Sequence, residues 1–212
     1  EWCSGRQSGG ERTNLVTTWC SSHGSKRRML TIFFFNDTAT TEIYTLSYTT
    51  LFDLPINLDI KEAPIAEPCA VALHAVEIGE KELLKSIKDS KILVIGAGAI
   101  GLLCGLILSK IKKCENIIIL EPNDKRLKES LKYLDADGLR PDSNKIPDDY
   151  FDIVIDTVGL EKTRQQAIRC IRPGGIIVHI GLTQPEGSFD FRKTTLQEIT
   201  FIGTYCYTNR DF

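Results

Sequence analysis

Histidine is scarce in this chain, and closely spaced cysteine is absent. Its histidines are His23, His74 and His179, and no two of its seven cysteines (Cys3, Cys20, Cys69, Cys104, Cys114, Cys170, Cys206) form a C-x-x-C pair. A zinc finger or thioredoxin-type redox motif therefore has no ligands or thiols at the spacing it needs. No Ser-His-Asp or Cys-His set can be assembled either, so no complete catalytic set is expected. An odd, scattered set of thiols fits a reducing, cytoplasmic setting, with Cys104 as a core residue. Neither sign of charge prevails: 26 Lys and Arg against 28 Asp and Glu give a net charge of −2. That excludes an electrostatic case for nucleic acid or an anionic membrane as partner. The opening Glu1-Trp2-Cys3, followed by polar residues, is no secretory signal. The one methionine is Met29, and the expectation is a fragment of a longer protein.

The first 54 residues read apart from the rest. Residues 1–31 are rich in Ser, Thr, Gly and Arg and show neither a helical nor a strand period, a composition that predicts disorder. Asn36-Asp-Thr-Ala-Thr-Thr-Glu-Ile-Tyr-Thr-Leu-Ser47 resembles the conceptual translation of a sequencing-library adapter, and Tyr48-Thr-Thr-Leu-Phe52 continues it after a frame slip. Residues 1–54 are thus expected to be a non-native or disordered leader, never selected to fold with the remainder. The alternative is a β-hairpin, since Phe, Thr, Tyr and Ile favour strands. No function is assigned to His23, Cys20 or the Lys26-Arg27-Arg28 run.

The remainder is organised around Lys91-Ile-Leu-Val-Ile-Gly-Ala-Gly-Ala-Ile-Gly-Leu102. Four apolar residues, Ile92 to Ile95, lead into Gly96, Gly98 and Gly101 at the spacing G-x-G-x-x-G. The period then changes, with Ile100, Leu103, Leu106 and Ile107 on one helical face. Strand, tight turn and helix follow, and the turn aims the unpaired N–H groups of a helix N-terminus at an anion, best a pyrophosphate. Residues 92–109 carry no charge, which raises a membrane span as a rival. The run is at the short end for one, and its three glycines weaken a helix there. A buried parallel strand and buried helix explain it better.

Further along, Glu67-Pro68 starts a helix that ends at Gly79, and Glu80 to Lys88 forms a second, amphipathic one. Asn116 to Leu120 is a strand, Asn123 caps a helix bearing Leu127, Leu131 and Leu134, and a short strand lies near Leu139. Phe151 to Asp156 is a strand, Glu161 to Ile171 a helix, Pro173-Gly174-Gly175 a turn, and Gly175 to Gly181 and Ile199 to Tyr205 are strands. Alternating strands and helices predict an α/β fold with a doubly wound parallel sheet over residues 55–212. Its ligand belongs at the carboxyl ends of the strands. The candidate cofactor residues are Gly96, Gly98, Ala99, Ile100 and Gly101 at the turn, Glu121 and Arg126 beside the adenosine ribose, and Val158, Ile180 and Leu182 at later strand ends. Glu121 lies twenty positions after Gly101, where a carboxylate accepts both ribose hydroxyls and repels a 2′-phosphate, so NAD is favoured over NADP. Arg126 could instead attract a phosphate; it lies in the helix, whereas the acid ends the strand. His74 and His179 read as packed histidines.

Five segments occur in a telling order: Glu67-Pro-Cys-Ala-Val-Ala-Leu-His-Ala-Val76, Val94 to Leu102, Asp156-Thr-Val-Gly159, Arg172-Pro-Gly-Gly175 and Phe201-Ile-Gly-Thr-Tyr205. Together they resemble the cofactor domain of the medium-chain, zinc-dependent alcohol and polyol dehydrogenases, near the sorbitol and sugar-alcohol-phosphate branch, over about Leu54 to Phe212. The resemblance implies a Rossmann fold that binds NAD, and hydride transfer with a small alcohol or polyol in a homo-oligomeric parent. It also implies that Glu67 serves a catalytic zinc there. The family's Cys and His zinc ligands have no counterpart in this chain, so zinc is not expected to bind it and the chain alone is expected to be inactive. Two alternatives stand beside this: a stand-alone dinucleotide-sensing module without catalysis, and an S-adenosylmethionine methyltransferase. The second usually has an acidic lead into its glycines, where this chain has Val94-Ile95.

Overall fold

The computed structural model describes residues 15–23, 26–34, 52–54, 61–208 and 210–211. They divide into two units, Glu1–Glu67 with Phe212 and Pro68–Asp211. In the first unit, β1 (Leu15–His23), β2 (Lys26–Phe34) and β3 (Phe52–Leu54) form an antiparallel sheet in that order. β1 and β2 pair from Leu15↔Phe34 to His23↔Lys26. The Val, Thr, Trp, Ile and Phe of these stretches favour extended backbone. The expectations for residues 1–14, for the adapter-like 36–51 and for 55–60 lie outside the described residues.

The second unit follows the alternating pattern. After the start of α1 (Ala66–Lys81) come β4 (Lys91–Ile95), α2 (Ala99–Leu106), β5 (Asn116–Leu120), α3 (Asp124–Leu131) and β6 (Asp137–Leu139). β7 (Phe151–Asp156), α4 (Glu161–Cys170), β8 (Ile171–His179), α5 (Phe191–Leu196) and β9 (Thr200–Gly203) complete it. The sheet is parallel, in the order β6-β5-β4-β7-β8-β9. Strand order therefore reverses between β4 and β7, which opens a crevice above their carboxyl ends. This is the expected doubly wound Rossmann arrangement.

Alternation along each strand feeds two cores, because successive side chains point to opposite faces. Ile92, Val94, Ile153, Ile155, Ile176 and Val178 pack with Ala72, Ala75 and Val76 of α1 and Cys104 of α2. Leu93, Ile95, Val154 and Ile177 pack on the other face with Ala167, Ile168 and Cys170 of α4. The sheet is covered on both sides, and every residue of β7 is buried, its two aspartates included.

The local departures have physical reasons. Gly79 does not end α1, which runs through it to Lys81. A Cβ there would lie 2.9 Å from Val178 Cγ2, so the glycine lets helix and sheet approach. Pro68 is the third residue of α1, still within the first turn, where its missing N–H costs no bond. The second helix over 80–88 reduces to a 3₁₀ turn, Ile87–Asp89. Ile87 of its apolar set is buried, while Leu84 is fully exposed. Past α2 the chain makes a turn of π-helix, Ile107–Ile111. The Pro173-Gly174-Gly175 turn is a bulge inside β8: Phe151 pairs with Ile171, and the ladder resumes at Ile153↔Ile176.

At the amino edge of the sheet, Asp152 is buried and draws three donors. Its Oδ2 accepts from Lys91 N at 2.8 Å and meets Lys85 Nζ at 2.8 Å, and its Oδ1 accepts from Arg172 Nε at 2.5 Å. Burial alone would raise its pKa; the Lys85, Lys91 and Arg172 donors outweigh that and hold it below the usual carboxylate range. Asp152→Ala strips all three donors of their acceptor and is expected to cost about 3 kcal/mol in denaturant unfolding. A loss under about 1 kcal/mol, the scale of an exposed pair, would contradict this.

Candidate functional site

The sharpest geometry is at the turn after β4. Gly96 has φ +99°, a conformation L side chains rarely adopt. A Cβ on it would lie 2.7 Å from both Thr157 Oγ1 and Val158 Cγ2, and a Cβ on Gly101 only 1.9 Å from Gly96 O. The first turn of α2 is thereby seated directly on the loop. Gly98 is the N-cap and makes no side-chain capping bond. A Cβ added there would meet nothing within 4 Å. Gly98 thus leaves the mouth of the turn clear of a side chain, and the leading N–H groups of residues 98–101 have no acceptor within the helix. The shape and polarity of this cradle suit the pyrophosphate of a dinucleotide.

Glu121 sits at the end of β5 and is 2% exposed. Its Oε2 accepts from Ala97 N at 2.9 Å and its Oε1 from Asn123 N at 3.0 Å. Arg126 Nη1 lies 3.3 and 3.4 Å from the two oxygens. The carboxylate therefore braces the glycine loop against the start of α3, rather than standing free for ribose hydroxyls. Arg126, the rival phosphate ligand by sequence, rests on Glu121 and is more than half exposed. A cavity of about 380 Å³ opens beside them, lined by Gly96, Glu121, Arg126, Arg140, Val158 and Thr163 among others. Another, lined by Lys91, Asn116, Asp135, Asp137 and Tyr150 among others, lies at the amino edge of the sheet.

Across the crevice, Asp156 ends β7 fully buried. Its Oδ1 accepts from Val158 N at 3.0 Å and Gly159 N at 3.1 Å, and its Oδ2 from Thr163 Oγ1 at 3.1 Å. Its own carbonyl accepts from Ile180 N and Gly181 N. Gly159, at φ +76°, and Gly181 touch backbone to backbone: a Cβ on Gly181 would lie 2.1 Å from Val158 C. Val158 and Ile180 are half-buried at this edge, and Leu182 is 69% exposed just beyond. Glycine turn, Glu121, Arg126, Val158, Ile180 and Leu182 thus share the carboxyl edge. Of these, Gly96, Glu121, Arg126 and Val158 line the one cavity. Asp156 is legible as the end of a strand and Val158 as part of the carboxyl edge, but the bracing by Asp156, Thr163 and Arg164 that organises the later turns carries no signal in the sequence.

His74 and His179 each lie close to an acid. His74 Nδ1 is 2.9 Å from Asp211 Oδ2. His179 Nδ1 is 3.3 Å from Asp156 Oδ2, out of line for a hydrogen bond, and that nitrogen is buried without a partner. Its ring packs against Phe201 at 5.6 Å. Glu67, in the first turn of α1, is 6% exposed, and its Oε1 has no hydrogen-bond partner. Burial pushes its pKa up to about 7. One orphaned oxygen does not make a tetrahedral zinc site, which takes three or four ligands. Among the described residues no three His, Cys, Asp or Glu side chains gather to hold a metal. No helix among them is long and apolar enough to cross a membrane.

The family model described as "Zinc-binding dehydrogenase" matches residues 99–212. D-xylulose reductase A of Aspergillus oryzae is 27% identical over 181 residues, which are 80% of this chain and 49% of that protein. The crystal structure of L-idonate 5-dehydrogenase from Escherichia coli superposes with a TM-score of 0.73 at 17% identity, over 90% of this chain and 64% of that one. Acetophenone reductase from Geotrichum candidum, solved in complex with NAD, gives 0.67 at 20% identity, over 76% and 46%. The chain spans about half the length of the curated relatives it matches.

The raised pKa of Glu67 has a testable consequence. A carboxyl that holds its proton more tightly folded than unfolded loses stability as pH rises from its ordinary value of 4.5 through about 7. Glu67→Gln is expected to leave the melting temperature nearly unchanged at pH 4. At pH 8 it should raise stability by at most about 3 kcal/mol. The same change at both values, or a loss at pH 8, would contradict this.

Proposed function

The chain belongs to the zinc-binding dehydrogenases, and from that membership we propose that residues 55–212 are the dinucleotide-binding part of an oxidoreductase that moves hydride between an alcohol or polyol and NAD. The observation that carries this is the open cradle at residues 98–101, held shut behind by Gly96 and Gly101. NAD, when bound, supplies the hydride acceptor. The amides at Gly98, Ala99, Ile100 and Gly101 hold the pyrophosphate. Glu121 takes the adenosine ribose, and Val158, Ile180 and Leu182 border the nicotinamide half.

Glu121 and Arg126 set the cofactor preference together. Ribose hydroxyls can take the place of Arg126 on the carboxylate, since the arginine is exposed and free to swing outward. A 2′-phosphate would instead face an acid held in place by two backbone amides. The alcohol-binding chemistry of the family is supplied by zinc, to which we assign only Glu67 among these residues. On this reading the chain holds cofactor without oxidising an alcohol.

Two measurements check this. Saturating NAD⁺ or NADH should raise the melting temperature more than NADP⁺ does, by several degrees at about a hundred times the dissociation constant. Equal or reversed shifts would sink the role given to Glu121. No turnover of ethanol, sorbitol or xylitol should appear on adding zinc and NAD⁺. Measurable NADH production would refute the assignment of the zinc ligands to residues outside this chain.

A further inference from the structure

We propose that Arg164 is a positioning residue for the nicotinamide half of the cofactor site, acting by clamping the loop 181–188 onto the turn after β7. This rests on the dinucleotide-binding reading above. Arg164 lies on α4, where an arginine would ordinarily face water, yet it is 9% exposed. Its guanidinium donates to three carbonyls: Nη1 to Gly159 O and to Gln184 O, both at 3.1 Å, and Nη2 to Glu186 O at 2.7 Å. Gly159 belongs to the β7–α4 turn, and Gln184 and Glu186 belong to the loop after β8. One rigid fork therefore ties together the two segments that form the β7–β8 side of the crevice.

The neighbouring contacts converge on the same two segments. Gln184 N donates to Gly159 O at 2.9 Å, and Thr183 Oγ1 donates to Val158 O at 2.6 Å. Glu161 N donates to Gln184 Oε1 at 2.7 Å, and the Glu161 carboxylate accepts from Ser188 N at 3.0 Å and from Ser188 Oγ. A Cβ on Gly187 would lie 2.8 Å from Arg164 Nη2 and 3.0 Å from Glu161 Cβ, so the glycine leaves space for the guanidinium. Residues 184–188 carry no strand or helix of their own, so these bonds supply the order. Leu182 and Ile180 sit at the root of this loop and Val158 on the opposite turn. The adenosine side, around Glu121 and Arg126, makes none of these contacts. Loosening Arg164 should therefore weaken one half of the dinucleotide and spare the other.

The test compares NADH with ADP, which lacks the nicotinamide half, on the full chain. NADH binding is followed by its fluorescence, and ADP by competition. For Arg164→Gln the NADH dissociation constant should rise about tenfold, the scale expected when hydrogen bonds from a charged donor are lost, while that for ADP stays within about twofold. Thr183→Val, a milder change on an exposed residue, should weaken NADH by about threefold with ADP again unmoved. In the free protein, amide exchange across residues 181–188 should speed up in Arg164→Gln. Equal weakening of both ligands, no weakening of NADH in either variant, or unchanged exchange in the loop would overturn the proposal. Failure of the wild-type chain to bind either ligand would instead overturn the dinucleotide reading, and this inference with it.

Discussion

A single missing atom governs the arrangement of the site. With a Cβ at position 101, α2 would drive into the carbonyl of Gly96 at 1.9 Å, and the helix would have to lift off the turn. Its N-terminal amides would then leave the carboxyl edge of β4. The strand order, which reverses beside β4, opens a crevice there. The glycines keep the end of α2 facing into it.

Two buried acids repeat one device on either side of that strand. Glu121, ending β5, accepts amides from Ala97 and Asn123. Asp156, ending β7, accepts amides from Val158 and Gly159. In each case a carboxylate at a strand end satisfies the N–H groups of a turn that no ladder reaches, so the loops hold their shape without regular structure. Both acids are almost wholly buried, and their cost in desolvation is offset by charge-assisted bonds to fixed backbone. The loops at the carboxyl edge are thus braced by hydrogen bonds to fixed carboxylates.

Much of this was legible from residue order, for physical reasons. Phe151 to Asp156 has an apolar, β-branched centre, Ile153 to Ile155, because both its faces are covered, and its ends could be read to the residue. The Asn123 cap was legible because a side-chain oxygen before a helix has one obvious use, and it accepts from Arg126 N. The three glycines were legible through their spacing. What stayed hidden depends on contacts between segments far apart in sequence. Gly79 reads as a helix stop, yet the sheet surface at Val178 demands it. Leu83, Leu84 and Ile87 show a helical period, but only Ile87 finds full burial. Glu121 was placed correctly at the strand end, but its bond to Ala97 spans 24 residues, and no local pattern announces it. Arg164, twenty or more residues from two of its three acceptors, gives no sign of its task.

The claim on which the rest stands is that the amides of residues 98–101 receive the pyrophosphate of NAD. Its most direct test is a ¹H–¹⁵N spectrum of the whole chain titrated with NAD⁺. The largest shifts are expected at Gly98, Ala99, Ile100 and Gly101, with smaller ones at Glu121 and Leu182. Shifts centred on the amino-edge cavity around Lys91 and Tyr150, or no shift at the glycine turn at saturation, would contradict it.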